Sequence, residues 1–213
     1  VIVVAATGEN CLLVTPGANA AVSPEYIVQH LPLIRRAGLV LTQLEIPIET
    51  VEFLAELCIQ EGVPLMLDPA PAKTLSPSLL RRVRWFTPNE TEAAFYVDQG
   101  NGHLDQNALG QTARSLLNLG PAGVILKAGS RGAYLVAGDI EQHINAPDVE
   151  AVDTTGAGDA LNGAFAVALM LEKSVVESVR FAVTAASVSV SRPGAQPSMP
   201  TFAEVSKTLH SMQ

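Results

Sequence analysis

The chain contains few cysteines, few aromatic residues and few basic residues. The shortages of cysteine and of basic residues exclude several classes of protein. Only Cys11 and Cys58 are thiols among 213 residues, which excludes a disulfide scaffold or a cysteine-based metal site and suits a cytoplasmic protein. The 13 Lys and Arg residues face 21 Asp and Glu residues, for a net charge of -8. Because this balance repels nucleic acids and anionic membranes, we expect neither as a partner.

Two common nucleotide-binding motifs are also missing. The chain has no G-x-x-x-x-G-K-[ST], and its N-terminal region has no G-x-G-x-x-G. These absences disfavour a P-loop kinase and a dinucleotide-dependent dehydrogenase. Hydrophobic residues, by contrast, make up 48% of the chain, which is enough to bury the core of one large domain.

Short apolar runs alternate with helix-like segments along most of the chain. Two strand-like runs at the start, 1–7 and 11–16, predict a hairpin, and the runs that follow predict strands within 39–45, 64–70, 84–90 and 124–129 and a second hairpin over 133–146. The intervening segments predict helices from Ser23-Pro24 onward and over 48–61, 76–83, 90–97, 105–119, 157–171, 174–191 and 201–211. This alternation predicts an α/β fold, a mostly parallel sheet with helices on both faces.

Polar residues follow several of the apolar runs directly. They are Gln43 and Glu45, Asp68-Pro69, Asn89-Glu90, and Lys127 with Gly129. In open α/β sheets, ligands bind beyond the carboxyl ends of the strands. The sequence therefore predicts a binding site at that edge of the sheet.

The segment "AVDTTGAGDALNG" (151–163) places an acid at the start of an apolar helix. Gly156, Ala157 and Gly158 allow backbone N–H groups to converge at the helix N-terminus, where the dipole favours an anion. Asp159 beside such a site suits a base that accepts a proton from a hydroxyl attacking a phosphoryl group. A simple helix cap is the alternative interpretation.

"DTTGAGD" (153–159) resembles the C-terminal signature of the ribokinase, or PfkB, family of carbohydrate kinases. Six further segments resemble ribokinase segments in the same order: "GANAAVSP" (17–24), "QLE" (43–45), "DPAPA" (68–72), "TPNETEA" (87–93), "GSRG" (129–132) and "GAQPS" (194–198). The resemblance implies a three-layer α/β/α ribokinase-like fold. Residues 17–213 would form the nucleotide-binding core, and residues 1–16 would be the remnant of a β lid.

The resemblance also implies an activity, the ATP-dependent phosphorylation of D-ribose to D-ribose 5-phosphate, with Mg²⁺ required and K⁺ activating. Asp159 would be the base, the amides of Gly156, Ala157 and Gly158 the anion hole, and Glu45 a ligand of the sugar. A strand-end Glu can also simply be solvated. The alternatives are another kinase of the family, acting on deoxyribose, fructose or a ketodeoxy sugar acid, and a non-catalytic nucleotide-binding remnant.

Matching positions imply the nucleotide site. Asn89 and Glu92 fit the family motif N-x-x-E, which influences Mg²⁺ and phosphate binding. The other implied nucleotide residues are Lys127, Ala128, Gly129, Ser130, Arg131, Gly132, Gly158 and Val183. Many ribokinases carry Thr and Leu in place of Lys127 and Ala128. Without the resemblance, "NETE" would be an ordinary helix start and Val183 ordinary helix core.

A monovalent-cation site is implied as well. Its ligands would be the Asp153 carboxylate, the Ser198 hydroxyl and the carbonyls of Thr155, Ser189, Arg192 and Gly194. Such oxygen ligands suit an alkali cation. The alternative interpretation of "RPGAQPS" is a Pro/Gly turn between helices.

The chain opens inside an apolar run, "VIVVAATGEN", without a methionine. We therefore expect that residues belonging before Val1 are absent. The resemblance implies an earlier segment, with an Asp that binds sugar hydroxyls, and a homodimer when the protein is full length. It also implies that residues 1–213 alone would not phosphorylate ribose at a useful rate.

Overall fold

The computed structural model describes residues 2–4, 10–12, 15–97 and 106–211. Near the N-terminus, strands β1 (Ile2–Val4) and β2 (Asn10–Leu12) pair antiparallel as a sheet of their own. This pairing confirms the two predicted strands. Gly8 and Glu9 of the predicted turn lie outside the described residues.

The main sheet has six strands in chain order: β3 (Val40–Thr42), β4 (Leu65–Leu67), β5 (Trp85–Phe86), β6 (Gly123–Lys127), β7 (Ala133–Ala137) and β8 (Ile140–Ile144). Strands β3 to β6 are parallel, and β7 and β8 add an antiparallel hairpin at one side. Parallel neighbours need crossover connections, which the intervening helices supply. The predicted mostly parallel sheet and the hairpin over 133–146 are both confirmed.

The described helices are α1 (Pro24–Gln29), α2 (Leu31–Ile34), α3 (Ile48–Glu61), α4 (Pro77–Leu80), α5 (Glu90–Val97), α6 (Gln106–Asn118), α7 (Ala157–Met170), α8 (Val175–Val190) and α9 (Phe202–Ser211). Serine side chains cap three of them. Ser23 and Ser76 each precede a proline, and their hydroxyls accept hydrogen bonds from backbone N–H groups in the first turn of the helix. Ser174 forms a reciprocal capping box with Glu177. None of the helices in the described ranges is long and apolar enough to cross a bilayer.

Four local features differ from the sequence-based prediction. The helix expected over 76–83 is limited to the four residues of α4. Short 3₁₀ turns that were not predicted lie at Gly17–Ala21, Gly129–Arg131 and Gln196–Ser198. Each of these segments is rich in glycine, proline or small residues, so its form depends on contacts beyond the local sequence.

The sheet divides the core into two layers because successive strand residues point to opposite faces. Leu67 and Leu126 pack with residues of α3, α4 and α6. Met66 and Ile125, their neighbours on the same strands, pack with residues of α7 and α8 on the other face. The three-layer α/β/α arrangement is therefore confirmed, and α7 is held against the sheet by a dedicated apolar layer.

Phe165 of α7 anchors this second layer. Its fully buried ring meets the Trp85 ring edge to face at a centroid distance of 5.0 Å. We expect Phe165→Ala to lower the free energy of unfolding by about 3–5 kcal/mol, because it leaves a large cavity. A denaturant titration measures the change. Phe95→Ala, which truncates a half-exposed ring, should cost less than about 1 kcal/mol, and equal losses in the two variants would contradict this account of the core.

Candidate active site

The parallel pairing of β3 to β6 brings the carboxyl ends of these strands to one edge of the sheet. Glu45, Asp68, Asn89 and Lys127 lie at or just beyond these ends. The first turns of α7 meet the same edge, because Asn162 of that helix donates a hydrogen bond to the Asp68 carboxylate. The edge thus combines charged side chains with a helix N-terminus.

A pocket of about 570 Å³ opens at this edge, a size typical of small-molecule sites. Eight of the predicted site residues line it: Asn89, Lys127, Gly129, Ser130, Gly132, Ala157, Gly158 and Val183. The loop after β8 (146–149) and buried positions of α8 complete the wall. Among the described residues that line the pocket, Lys127 carries its one Lys or Arg side chain.

Several predicted residues lie elsewhere. Ala128 is buried in the core on the α3 and α6 face, and Arg131 forms an ion pair with Glu90. Glu45 and Asp159 are exposed. The residues on either side of Ala128 and Arg131 do line the pocket. The local backbone geometry therefore directs Ala128 and Arg131 away from the pocket that their neighbours line.

Helix α7 begins at Gly156, which is its N-cap with a left-handed φ of 76°, a conformation that favours glycine. The Ala157 N–H donates to the Thr154 carbonyl at 3.2 Å, so this amide serves the turn itself. Asp159 is the third residue of the helix and not its cap, which rules out the simple capping interpretation. The dipole of this 14-residue helix favours negative charge at its start.

Lys127 and Asp68 form a buried ion pair beside this helix start. Lys127 Nζ donates to Asp68 Oδ1 at 2.9 Å and to Oδ2 at 2.8 Å. The Asn162 amide nitrogen donates to the same carboxylate. A Cβ placed on Gly158 would lie 3.4 Å from Lys127 Nζ, which puts the ammonium group directly against the first turn of α7.

Asn89 and Glu92 form a reciprocal cap at the start of α5. The Asn89 backbone N–H and Nδ2 donate to the Glu92 carboxylate at 2.8 and 2.9 Å, and the Glu92 N–H donates to Asn89 Oδ1 at 2.8 Å. Burial raises the pKa of Glu92 although the Asn89 N–H bond opposes the shift. This local bonding accounts for the spacing of N-x-x-E as a helix start, and it leaves the exposed Asn89 side chain on the pocket wall.

Asp153 joins the loop before α7 to the loop after α8. Its Oδ1 accepts from the Thr155 hydroxyl at 2.6 Å and the Thr155 N–H at 2.9 Å, and its Oδ2 accepts from the Gly194 N–H at 2.8 Å. These bonds, the hydroxyl bond first, hold the pKa of Asp153 below its usual value. The structure thereby brings Asp153, Thr155 and Gly194 together.

The other predicted cation ligands, Ser189, Arg192 and Ser198, lie on either side of Gly194 in the sequence. Ser198 is buried and its hydroxyl donates to the Ala195 carbonyl at 2.7 Å. The Ser189 carbonyl accepts the Arg192 N–H at 3.1 Å at the end of α8. A carboxylate together with carbonyl and hydroxyl oxygens is the kind of donor set that would fit an alkali cation.

A family model described as pfkB family carbohydrate kinase matches residues 1–202. The chain belongs to this family of carbohydrate kinases. The ribokinase of Bacillus subtilis is 39% identical over 207 residues, which are 97% of this chain and 67% of that protein. The solved ribokinase of Thermotoga maritima is 37% identical with a TM-score of 0.85, over 98% of this chain and 68% of that one.

The solved ribokinase of Arabidopsis thaliana is 35% identical with a TM-score of 0.83, over 98% of this chain and 67% of that one. The fold of this pfkB protein is therefore ribokinase-like. The chain spans about two thirds of the length of the relatives it matches.

Sequence reasoning missed two residues of this pfkB site. Asp68 was identified as a polar residue at a strand end and as part of the ribokinase-like segment "DPAPA", without a role, and Asn162 carried no signal beyond lying three residues after Asp159. Their contact joins positions 94 residues apart, and the Lys127–Asp68 pair joins positions 59 residues apart. Spacing along the chain contains no information about such contacts.

Gly132 shapes the loop below the pocket. It has a φ of +91°, and a Cβ there would overlap the Ile144 carbonyl oxygen and lie 2.6 Å from the Ala146 N. We expect Gly132→Ala to lower the free energy of unfolding by more than about 2 kcal/mol, measured by denaturant titration, because backbone atoms must move. Gly129 also has a positive φ, of +56°, but a Cβ there would have no atom within 4 Å, so Gly129→Ala should lose only about 1 kcal/mol. Equal losses in the two variants would show that the overlap does not matter.

Proposed function

We propose that this pfkB protein transfers the terminal phosphoryl group of ATP to the primary hydroxyl of D-ribose, as a cytoplasmic sugar kinase. The observation that carries the proposal is the pocket at the sheet edge, where Lys127 and the start of α7 meet and Asp159 lies in the first turn of the helix. The ribokinase of Arabidopsis thaliana, whose solved structure is described as complexed with ribose and ATP, shares this fold.

The pocket walls suit a nucleotide. Val183, Ala186 and Val190 of α8 would provide an apolar side for the base, and Gly129 and Gly132 line the same pocket. Lys127 and the N-terminal dipole of α7 supply the positive potential that a triphosphate needs in a protein of net charge -8. The phosphate chain would therefore run toward Gly158.

The reaction requires a base, an anion site and an in-line approach. The sugar hydroxyl oxygen attacks the terminal phosphorus, its proton passes to the Asp159 carboxylate, and ADP leaves with the electrons of the broken P–O bond. Glu45 would accept hydrogen bonds from sugar hydroxyls. The amides at the start of α7 other than that of Ala157, which bonds to Thr154, would stabilise the charge that develops on the phosphoryl oxygens.

Two cations belong to this proposal. Mg²⁺ would enter with the nucleotide, near Asn89 and Glu92, and neutralise phosphate charge when bound; it usually keeps several waters and needs few protein ligands. K⁺ would take the oxygens around Asp153 and Ser198, where the Asp153–Gly194 bond already links the two loops. We further propose a homodimer formed through the region of β1 and β2.

The role of Asp159 is directly testable. In the full-length protein, we expect Asp159→Asn to lower kcat by at least roughly 100-fold while ATP still binds, because general-base help supplies at least that factor. A coupled ADP-release assay with ribose, and with deoxyribose and fructose in parallel, measures the rate and the sugar preference. Asp139→Asn changes another exposed acid, at the turn between β7 and β8, and should leave the rate unchanged. Near-normal turnover by Asp159→Asn would rule out the assigned base.

The cation site makes a separate prediction. Turnover should be faster in K⁺ than in Na⁺ at equal ionic strength, because the ion would order the loop that leads into α7. Ser198→Ala should weaken that response by removing one hydroxyl ligand. Initial rates across a titration of each salt measure the effect. Identical rates in both salts would remove the cation from the mechanism.

A further inference from the structure

The Lys127–Asp68 pair spans an intervening strand. Lys127 ends β6 and Asp68 follows β4, with β5 between them. Adjacent strands are about 4.8 Å apart, so the two backbones are separated by about 10 Å. The long stem of Lys127 covers this gap, and its ammonium group reaches both carboxylate oxygens. A side chain as short as threonine could not make this contact.

Both partners are removed from solvent. The Lys127 side chain is 12% exposed and that of Asp68 is 7% exposed. A buried ion pair is costly to desolvate, and hydrophobic residues of similar volume often stabilise a fold equally well. Stability alone therefore gives little reason for such a pair.

The geometry leaves the ammonium group directed to the site. An ammonium group has three N–H bonds, and Asp68 accepts two hydrogen bonds from Nζ. The same nitrogen lies against Gly158 at the start of α7, where a Cβ would approach it to 3.4 Å. Asn162, one turn further along α7, holds the Asp68 carboxylate from the helix side.

We propose that Asp68 is a positioning residue that acts through Lys127. It holds the ammonium group at the α7 N-terminus and neutralises it before a nucleotide binds, so that a phosphate meets a fixed cation without an excess of positive charge. This inference rests on the proposed function. It adds to that function the residue that fixes the position and moderates the charge of Lys127, the one Lys or Arg among the described residues that line the pocket.

The proposal predicts that removing the charge of Lys127 and removing the charge of Asp68 have opposite effects on ATP binding. Lys127→Met should raise the Kd for MgATP by about 10- to 100-fold, because a charge-assisted hydrogen bond is lost and Asp68 is left unpaired. Asp68→Asn keeps the shape of the side chain but releases the charge of Lys127. It should lower the Kd several-fold, and it should reduce kcat by about tenfold because the cation is no longer fixed.

The double variant Asp68→Asn/Lys127→Met decides whether Asp68 acts through Lys127. Its Kd for MgATP should lie between those of the starting protein and Lys127→Met, because the unpaired Asp68 charge is removed while the hydrogen bond from Lys127 stays lost. Its kcat should equal that of Lys127→Met. Its thermal midpoint should also recover most of the fall, on the order of 10 °C, that an unpaired buried Asp68 causes in Lys127→Met. Arg35→Met, which removes a cation from the surface pair with Glu61, should leave the Kd unchanged.

Calorimetric titration of the full polypeptide with MgATP in the absence of sugar provides the affinities, and the coupled assay provides kcat. If Lys127→Met does not fold, Lys127→Arg keeps the cation, and adding Asp68→Asn to it should again lower the Kd.

The proposal is overturned if Asp68→Asn weakens or does not change ATP binding, or if it lowers kcat equally with and without Lys127. A protein that binds ATP but phosphorylates no sugar would contradict the proposed function only, whereas one that binds no ATP would overturn both.

Discussion

Hydrogen bonds between the parallel strands β3, β4, β5 and β6 align their carboxyl ends, and the candidate site depends on that alignment. Parallel pairing requires a crossover helix between neighbouring strands, so both faces of the sheet become covered and only the edge remains open for a ligand. The apolar layer around Phe165 then presses α7 onto the sheet. Packed in this way, α7 has its N-terminal turns beside the carboxyl ends of the strands, where Asn162 bonds to Asp68.

An acidic protein that binds an anionic substrate must solve an electrostatic problem locally. The net charge of -8 opposes a triphosphate at long range, but solvent ions screen charges more than about 10 Å apart. Within the pocket, the potential depends on the buried ammonium of Lys127 and the start of α7. Pairing Lys127 with Asp68 moderates that potential, which suits a site that must release ADP as well as bind ATP.

The same residues often serve folding and function in this site. Asn89 and Glu92 cap α5 reciprocally, yet Asn89 also forms part of the pocket wall. Asp153 accepts hydrogen bonds that tie two loops together, and the same bonds hold its pKa below the usual value, which favours the charged form that the proposed cation would need. Such motifs need not be either structural or functional. The hydrogen bonds that stabilise the local fold also fix the position of the side chain that a ligand would contact.

The sequence by itself determined the order of elements and the composition of the sheet. Helix α3 was predicted over 48–61 and has those bounds, because its apolar periodicity and the left-handed Gly62 at its end are local signals. The tertiary structure alone decided which charges meet. It placed Lys127 on Asp68 across β5, buried Ala128 beside a pocket residue, and used the Ala157 amide within a turn. Periodicity reports the face on which a side chain lies, but pairing between residues distant in sequence follows from how strands and helices pack.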